Sequence, residues 1–205
     1  MRDAVMIGGG GHAMSCLDAA DGGDVRFVGY VSTAPDPRLP LDHLGGDDAL
    51  PELQQRVGLA FVAVGDNRRR SALSAAVARL GFELATLVAG TARVSPHASV
   101  GPGAAVLHHA FVGPRSRVAA GAIVNTAASA DHDCTIGEFA HIAPGTHLAG
   151  GVDIGAGAFA GVGVSVIPDV HIGAWSVVGA GAVVTDQVPP ETTVMGVPAR
   201  ARSTS

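Results

Sequence analysis

The segment ADHDCTIGEFAHIAPGTHLAGGVDIGAGAFA, at residues 130–160, decides the fold. Within it Ile136, Ile142, Leu148 and Ile154 recur at a spacing of six residues, and this spacing continues without a slip in both directions. The complete column is Val94, Val100, Val106, Val112, Val118, Val124, Ala130, Ile136, Ile142, Leu148, Ile154, Ala160, Val166, Ile172, Val178 and Val184. Fourteen of its sixteen members are branched aliphatic residues, and the other two are alanine.

A second column of mostly small residues follows the first at an offset of four positions. It consists of Ala98, Ala104, Ala110, Ser116, Ala122, Ala128, Cys134, Ala140, Thr146, Val152, Ala158, Val164, Val170, Ser176 and Ala182. Two interlocked columns with one period predict a hexapeptide-repeat parallel β-helix, in which three hexads form a triangular coil of about 18 residues. The known form of this helix is left-handed, and sixteen hexads predict about five coils. Cys134 is then interior filler rather than a nucleophile.

The region before residue 90 has a different pattern, in which strand-like and helix-like stretches alternate. The predicted strands are 4–7, 25–31, 59–64 and 84–88, and the predicted helices are 13–20 and 68–80. Such alternation favours a small parallel α/β sheet of the Rossmann-like kind. We therefore expect an α/β domain at residues 1–90 and a β-helix domain with a C-terminal tail at residues 91–205.

Composition excludes several classes of function. The formal net charge of −5 argues against sequence-independent nucleic-acid binding. All 13 basic residues are arginine, so a Walker A loop and Schiff-base lysine chemistry are absent. The two cysteines form no CxxC pair, which makes a cysteine zinc site improbable, and no metal is expected. The apolar start is too short for a signal peptide and no run is long enough to span a membrane, so we expect a cytoplasmic protein.

A glycine-rich turn at residues 8–12 follows the first strand and opens the first helix. Backbone N–H groups at a helix N-terminus bind phosphate, and glycine allows close approach. Tyr30-Val31-Ser32-Thr33 ends the second strand without the acidic residue that NAD binding requires, which disfavours NAD. Arg68-Arg69-Arg70, at the start of the second helix, is interpreted as a solvated face rather than a phosphate-binding patch.

His132 is the candidate general base, because a neutral imidazole can accept a proton from an attacking amine or hydroxyl near pH 7. It lies two residues after Ala130, where the aliphatic column is locally altered. Asp131 and Asp133 flank it, and either carboxylate could orient the imidazole. His141 comes nine residues later, which is half a coil, so the two histidines should lie on different faces. If both serve one site, a neighbouring subunit must supply one of them.

The chain resembles the hexapeptide-repeat acyltransferases, and more narrowly the branch that N-acetylates nucleotide-linked amino sugars or O-acetylates sialic acid. The resemblance rests on residues 7–12, 63–67, 125–143 and 196–200, with His132-Asp133-Cys134 the narrowest motif. It implies homotrimers with active sites between subunits, and a catalytic base at His132. The implied ligand contacts are Gly10, Gly11, His12, Ser32, Thr33 and Gly65 for the nucleotide sugar, and His141 with the backbone of Val162 and Ala180 for acetyl-CoA.

These observations predict an acetyl-CoA-dependent N-acetyltransferase of a UDP-linked amino sugar. His132, assisted by Asp133, would deprotonate the amine in a direct transfer, and a backbone N–H near His141 or Gly145 would stabilise the oxyanion. Two alternatives stay open at this point. One is O-acetylation of a sugar such as sialic acid, and the other is a non-catalytic β-helix scaffold.

Overall fold

The computed structural model describes residues 1–202. Its N-terminal part contains the strands β1 (Arg2–Ile7), β2 (Val25–Val31), β3 (Leu59–Val62) and β4 (Glu83–Leu84), and the helices α1 (Gly11–Ala20), α2 (Leu50–Val57) and α3 (Asn67–Arg79). The four strands form one sheet in the order β2-β1-β3-β4, with every pair parallel. A 3-10 turn, Asp47–Ala49, leads into α2. The sheet agrees with the predicted small parallel α/β unit; α2 was not predicted.

The strand predicted at residues 84–88 is wrong, because this stretch contains two short strands in different sheets. Glu83–Leu84 pairs with β3, whereas β5 (Leu87–Val88) pairs with Ala105–Val106 of the β-helix. The backbone changes partner between them: Ala85 N–H donates to Ala60 O, and Leu87 N–H donates to Ala104 O. The apolar run therefore connects the two parts of the chain rather than completing the first sheet.

The rest of the chain is a parallel β-helix with three faces. The first face contains β5, Ala105–Val106, Ile123–Val124, His141–Ile142, Phe159–Ala160, Val177–Val178, Thr193–Met195 and the antiparallel Arg200–Ala201. The second face contains Arg93–Val94, Phe111–Val112, Ser129–Ala130, His147–Leu148, Ser165–Val166 and Val183–Val184. The third contains Ser99–Val100, Arg117–Val118, Thr135–Ile136, Asp153–Ile154 and His171–Ile172.

The coil repeats every 18 residues, as the hexads predict, since Ile123 pairs with His141, and His141 with Phe159. Both predicted columns fill one interior cluster from Ala104 onward, and Cys134 is buried there as a free thiol. There are about six coils rather than five. The difference arises at the ends, where Leu87–Val88 and Thr193–Met195 add a strand that the hexad count does not include.

The α/β part packs on the first face of the β-helix. Val106 and Val124 point into the β-helix, so their neighbours Ala105 and Ile123 point outward. Ala105 and Ile123 belong to the same buried cluster as Ala4, Met6 and the inner side of α1. No helix within residues 1–202 has both the length and the apolar character needed to cross a bilayer. The docking brings the ends of β1 to β3 against the middle coils, and this junction holds the candidate site.

Candidate functional site

A cavity of about 510 Å³ opens at the carboxyl ends of the parallel strands β1, β2 and β3. Ligands of open α/β sheets bind at this edge, because the loops that follow the strands meet there. All six residues predicted to contact the nucleotide sugar line the cavity: Gly10, Gly11, His12, Ser32, Thr33 and Gly65. The structure thus brings together positions from the three segments that follow β1, β2 and β3.

The glycine-rich turn leaves this cavity open. Gly8 has a φ of 113°, which favours glycine, and a Cβ at Gly9 would lie 2.7 Å from the Tyr30 ring. Gly10 and Gly11 differ, since a Cβ at either position meets no atom within 4 Å. Gly10 is the N-cap of α1, and no side chain caps it. The first N–H groups of this helix therefore remain available to an anionic ligand.

Arg70 corrects the interpretation of the arginine run as a solvated face. Its side chain is buried at 1% exposure, whereas Arg68 and Arg69 are exposed. The Arg70 guanidinium donates to Gly121 O at 2.7 Å and to Phe139 O at 2.7 Å on the β-helix. Burial lowers its pKa to about 10, so it stays charged at neutral pH. Arg70 therefore fastens α3 to the β-helix through backbone carbonyls.

Asn67 and Arg68 extend this junction, whereas Arg69 does not. The Asn67 amide donates to Gly157 O and Ala158 O at 3.0 and 3.1 Å. The Arg68 guanidinium carbon lies 4.4 Å from the centre of the Trp175 ring, which is a cation–π contact. Arg69 lines the cavity beside the glycine-rich turn. Of the three arginines, Arg69 is the one placed beside the cavity that could hold a phosphate.

His141 lies on the first face, directly below the cavity, and both of its ring nitrogens are engaged. Nδ1 is 3.2 Å from Gly65 O, and Nε2 is 2.9 Å from the Asn125 amide nitrogen. A carbonyl can only accept, so Nδ1 carries the proton and Nε2 accepts from Asn125. Burial, with a smaller contribution from Arg70, lowers the pKa of His141 to about 4. His141 is therefore a neutral, fixed imidazole.

His12, which lines the cavity, lies beside His141. The two ring centres are 6.2 Å apart, and the His141 ring contacts Phe159 edge-on at 5.3 Å. Burial, followed by the charge of Arg70, lowers the pKa of His12 to about 4. Neither ring is suited to hold a proton near pH 7, so this pair offers neutral polar surface rather than charge.

His132 and Asp133 form a separate, exposed dyad. The His132 Nδ1 lies 2.7 Å from Asp133 Oδ2, which leaves Nε2 free to accept a proton. Asp131 instead accepts from the backbone N–H of His132 at 2.8 Å. Of the two carboxylates that could orient the ring, Asp133 is the one that contacts it. Hydrogen bonds from Arg115 and then His132 lower the pKa of Asp133 to about 2, so it is ionised.

The dyad does not lie with the cavity. His132 occupies the turn between Ser129–Ala130 of the second face and Thr135–Ile136 of the third face, so it sits at the corner opposite the first face, which carries His141. The two histidines are therefore separated, as the half-coil spacing predicts, although His132 lies at a corner rather than on a second face.

Val162 and Ala180 follow strands of the first face, 18 residues apart at the same corner. The N–H of Gly181 donates to Val162 O, which stacks these turns. Among residues 1–202, the amide N–H groups of Val162 and Ala180 have no acceptor. Two aligned free donors can bind the carbonyl oxygens of an extended ligand. This geometry fits the role that the resemblance implies, which stays a prediction.

The expected oxyanion donor is not found at the two residues named for it. The backbone N–H of His141 donates to Ala158 O at 2.9 Å, and that of Gly145 donates to Thr126 O at 3.0 Å. Both N–H groups already donate within the regular hydrogen-bond ladder of the coil. His141 does so from a strand, and Gly145 does so from a left-handed corner. Neither is free for a substrate.

Several residues of the site lay outside the sequence prediction. Asp36, Asp47 and Arg69 line the cavity, and Asn125 holds His141. The contact of Asn125 with His141 could have been inferred from the sequence, because the two residues are 16 positions apart, which is close to one coil. Asp36 and Asp47 lie in the connection between β2 and α2, whose course the sequence pattern does not define, and Arg69 lies in the first turn of α3. Residues 1–202 contain no cluster of three or more side chains that could hold a metal ion.

Comparisons with known proteins identify similar chains. The PglD N-terminal domain model matches residues 3–77. PerB from Caulobacter crescentus, solved with CoA and GDP-perosamine, is 39% identical with a TM-score of 0.93, covering 99% of this chain and 98% of that one. The acetyltransferase domain of PglB from Neisseria gonorrhoeae, solved with acetyl coenzyme A, is 34% identical with a TM-score of 0.91, covering 98% and 99%.

A curated Staphylococcus aureus protein named as an acetyltransferase is 42% identical over 62 residues. That match spans 30% of this chain and 31% of the relative's length. The agreement over whole chains therefore comes from the solved structures.

Proposed function

The chain belongs to the nucleotide-amino-sugar N-acetyltransferases of the hexapeptide-repeat family, and from this premise we propose that it transfers an acetyl group from acetyl-CoA to the amine of a nucleotide-linked sugar. One observation carries the proposal: the six positions expected to bind the nucleotide sugar line a single cavity next to His141. The free N–H groups of α1 suit the diphosphate, and the exposed Arg69 supplies a positive charge beside them.

Acetyl-CoA would lie along the corner that carries Val162 and Ala180. Their unpaired N–H groups are suited to bind an extended chain with regularly spaced carbonyl oxygens, such as the pantetheine arm. The neighbouring Phe159 and the neutral His141 offer an apolar, uncharged wall to the thioester. The reaction we propose is direct, because the buried Cys134 and its raised thiol pKa exclude it as an acyl carrier.

His132 is the proposed general base. The amine nitrogen attacks the thioester carbonyl carbon and forms the C–N bond, while its proton passes to His132 Nε2. Collapse of the tetrahedral intermediate breaks the C–S bond, and the same proton passes to the sulfur of CoA. Asp133 accepts from Nδ1 and stabilises the imidazolium that exists between these steps.

A second copy of the chain must bring this base to the cavity, since His132 lies at the corner opposite the first face. We propose a homotrimer in which each active site combines the cavity, His141 and the Val162–Ala180 corner of one subunit with the His132–Asp133 dyad of the next. Such head-to-tail contacts close into rings of identical subunits.

The substrate class is tested by mass spectrometry of products formed from acetyl-CoA. The panel contains a UDP-linked 4-amino sugar, GDP-perosamine and free sialic acid. The sequence predicts the uridine nucleotide and PerB was solved with GDP-perosamine, so both are included. An N-acetylated nucleotide sugar supports the proposal. O-acetylated sialic acid as the sole product, or no acetylated product at all, refutes it.

The shared site is tested by mixing two inactive variants. His132→Asn removes the base, and Gly11→Trp fills the cavity at a position where a Cβ meets no atom within 4 Å. In randomly mixed trimers, about a quarter of the sites combine an intact cavity with an intact dyad. Activity should therefore return on co-expression. If the mixture stays inactive although mixed oligomers form, each site lies within one chain and the proposed arrangement is wrong.

A further inference from the structure

Residues of three successive coils lie next to the exposed His132 ring or next to the carboxylate that it contacts. Asp133 belongs to its own coil, Arg115 lies one coil before Asp133, and Gly150 lies one coil after His132. The backbone aligns these corners, since Asp133 N–H donates to Pro114 O and Gly151 N–H donates to His132 O. The surroundings of the ring are therefore set by residues 17 or 18 positions away in the chain as well as by its neighbours.

Arg115 binds the carboxylate of Asp133, which in turn binds the His132 ring. Its Nε donates to Asp133 Oδ1 and its Nη2 donates to Asp133 Oδ2, each at 2.6 Å. Oδ2 also accepts from His132 Nδ1 at 2.7 Å. The planar fork of a guanidinium fixes the plane of a carboxylate, which a single point charge does not. With both oxygens engaged, Asp133 cannot rotate without breaking a bond to Arg115.

Gly150 forms the surface beneath the ring. A Cβ placed on Gly150 would overlap the Cε1 of His132 and would lie 2.6 Å from Nε2, the nitrogen that accepts the proton. Gly150 is buried, and its backbone is not in the left-handed region that favours glycine. The constraint at this position is therefore the space under the imidazole rather than the conformation of the chain.

We propose that Arg115 and Gly150 are positioning residues for the acetyl transfer, and that they fix the His132–Asp133 dyad from the coils on either side. The inference rests on the proposed role of His132. Neither residue touches the reacting atoms. Arg115 acts through Asp133, and Gly150 acts because it has no side chain that would occupy the position of the His132 ring. Loss of either should lower kcat while the KM for acetyl-CoA and for the amino sugar changes little.

The charges around the ring call for a second comparison. The groups that face His132 are Asp131, Asp133 and Arg115, with the uncharged Cys134 thiol directed to its carbonyl. Arg115→Gln removes the only cation of this group. A fall in kcat for Arg115→Gln does not by itself separate the lost charge from the lost fork. Arg115→Lys keeps the charge without the fork, so it should also lower kcat with little change in either KM if the fork is what fixes Asp133.

The experiment compares Arg115→Gln, Arg115→Lys and Gly150→Ala with two controls. Arg79→Gln removes an exposed arginine on α3, and Gly90→Ala adds a Cβ where no atom lies within 4 Å. A displaced base costs up to about a hundredfold in rate. We expect kcat to fall about a hundredfold for Gly150→Ala and about tenfold for Arg115→Gln, with both controls at the wild-type rate.

Parallel assays of His132→Asn distinguish a failure of the proposed base from a failure of the proposed positioning roles. If His132→Asn stays active, the proposed base is wrong and the inference falls with it. If His132→Asn is inactive while Gly150→Ala and Arg115→Gln both keep kcat within about twofold of wild type, the positioning role is wrong and the base stands. Arg115→Gln keeps the test decisive even if Gly150→Ala does not fold, because this ion pair is exposed on the surface.

Discussion

Replacing Arg70 with methionine should destabilise the protein strongly, because the guanidinium joins its two parts. Methionine keeps much of the apolar stem but cannot donate to Gly121 O and Phe139 O, which Arg70 reaches at 2.7 Å. A buried polar group left without its partner costs about 1–3 kcal/mol, so losing two donors on the β-helix side costs about 4 kcal/mol. For a chain of this size, each kcal/mol lowers Tm by about 2–4 °C. We therefore expect Tm to fall by about 10 °C.

The measurement is differential scanning calorimetry of Arg70→Met beside Arg79→Met. The control removes an exposed arginine from the same helix, so it matches the change in charge and in helix propensity. Its Tm should stay within about 1 °C of wild type, as surface substitutions usually do. If Arg70→Met unfolds within about 2 °C of the control, then the Arg70 hydrogen bonds do not stabilise the junction and the reasoning is wrong.

Three further predictions concern the two histidines and the β-helix interior. His12 and His141 have a folded-state pKa of about 4 against 6.5 ordinarily, so the unfolded chain binds more protons between these values. The free energy of unfolding should be highest above pH 6.5 and fall as the pH drops toward 4. In a variant with both His12 and His141 replaced by glutamine, Tm should depend less on pH; an equally steep dependence would show that these two histidines are not its cause. Cys134→Ala should keep kcat within about twofold and lower Tm by a few degrees, since the thiol fills interior space and donates only to backbone carbonyls; loss of turnover in a folded variant would implicate the thiol. Ile154→Ala should cost about 2–5 kcal/mol in urea unfolding, whereas the exposed Ile167→Ala should cost little, and equal costs would argue against a packed interior.

The β-helix could be predicted in detail because its period is a property of the local sequence. Every sixth residue points inward, so the column around Ile136 and Ile142 specifies the coil and the face of each residue. The same arithmetic predicts that His132 and His141 lie on different faces. The six positions proposed to bind the nucleotide sugar came from the family resemblance, and they line one cavity because the segments after parallel strands meet at one edge of the sheet.

The junction between the two parts could not be predicted in the same way. Arg70 is indistinguishable from Arg69 in the sequence, because its burial depends on where α3 meets carbonyls some 50 to 70 residues away. The apolar run at 84–88 likewise indicates one strand, although its two ends pair with different sheets. Both errors concern tertiary pairing, which no local propensity encodes.

The carbonyl oxygen of Gly65 links the stability of the fold to the geometry of the site. It accepts from Arg70 Nη1 at 3.0 Å and from His141 Nδ1 at 3.2 Å, and Gly65 itself lines the cavity. One acceptor therefore binds both the guanidinium that docks α3 and the β-helix imidazole whose tautomer it fixes. A change that weakens the docking also releases His141, so the junction cannot loosen without altering the wall that the thioester would meet. Binding of a nucleotide sugar against Gly65 should conversely strengthen the junction, because a ligand that favours the docked state stabilises it.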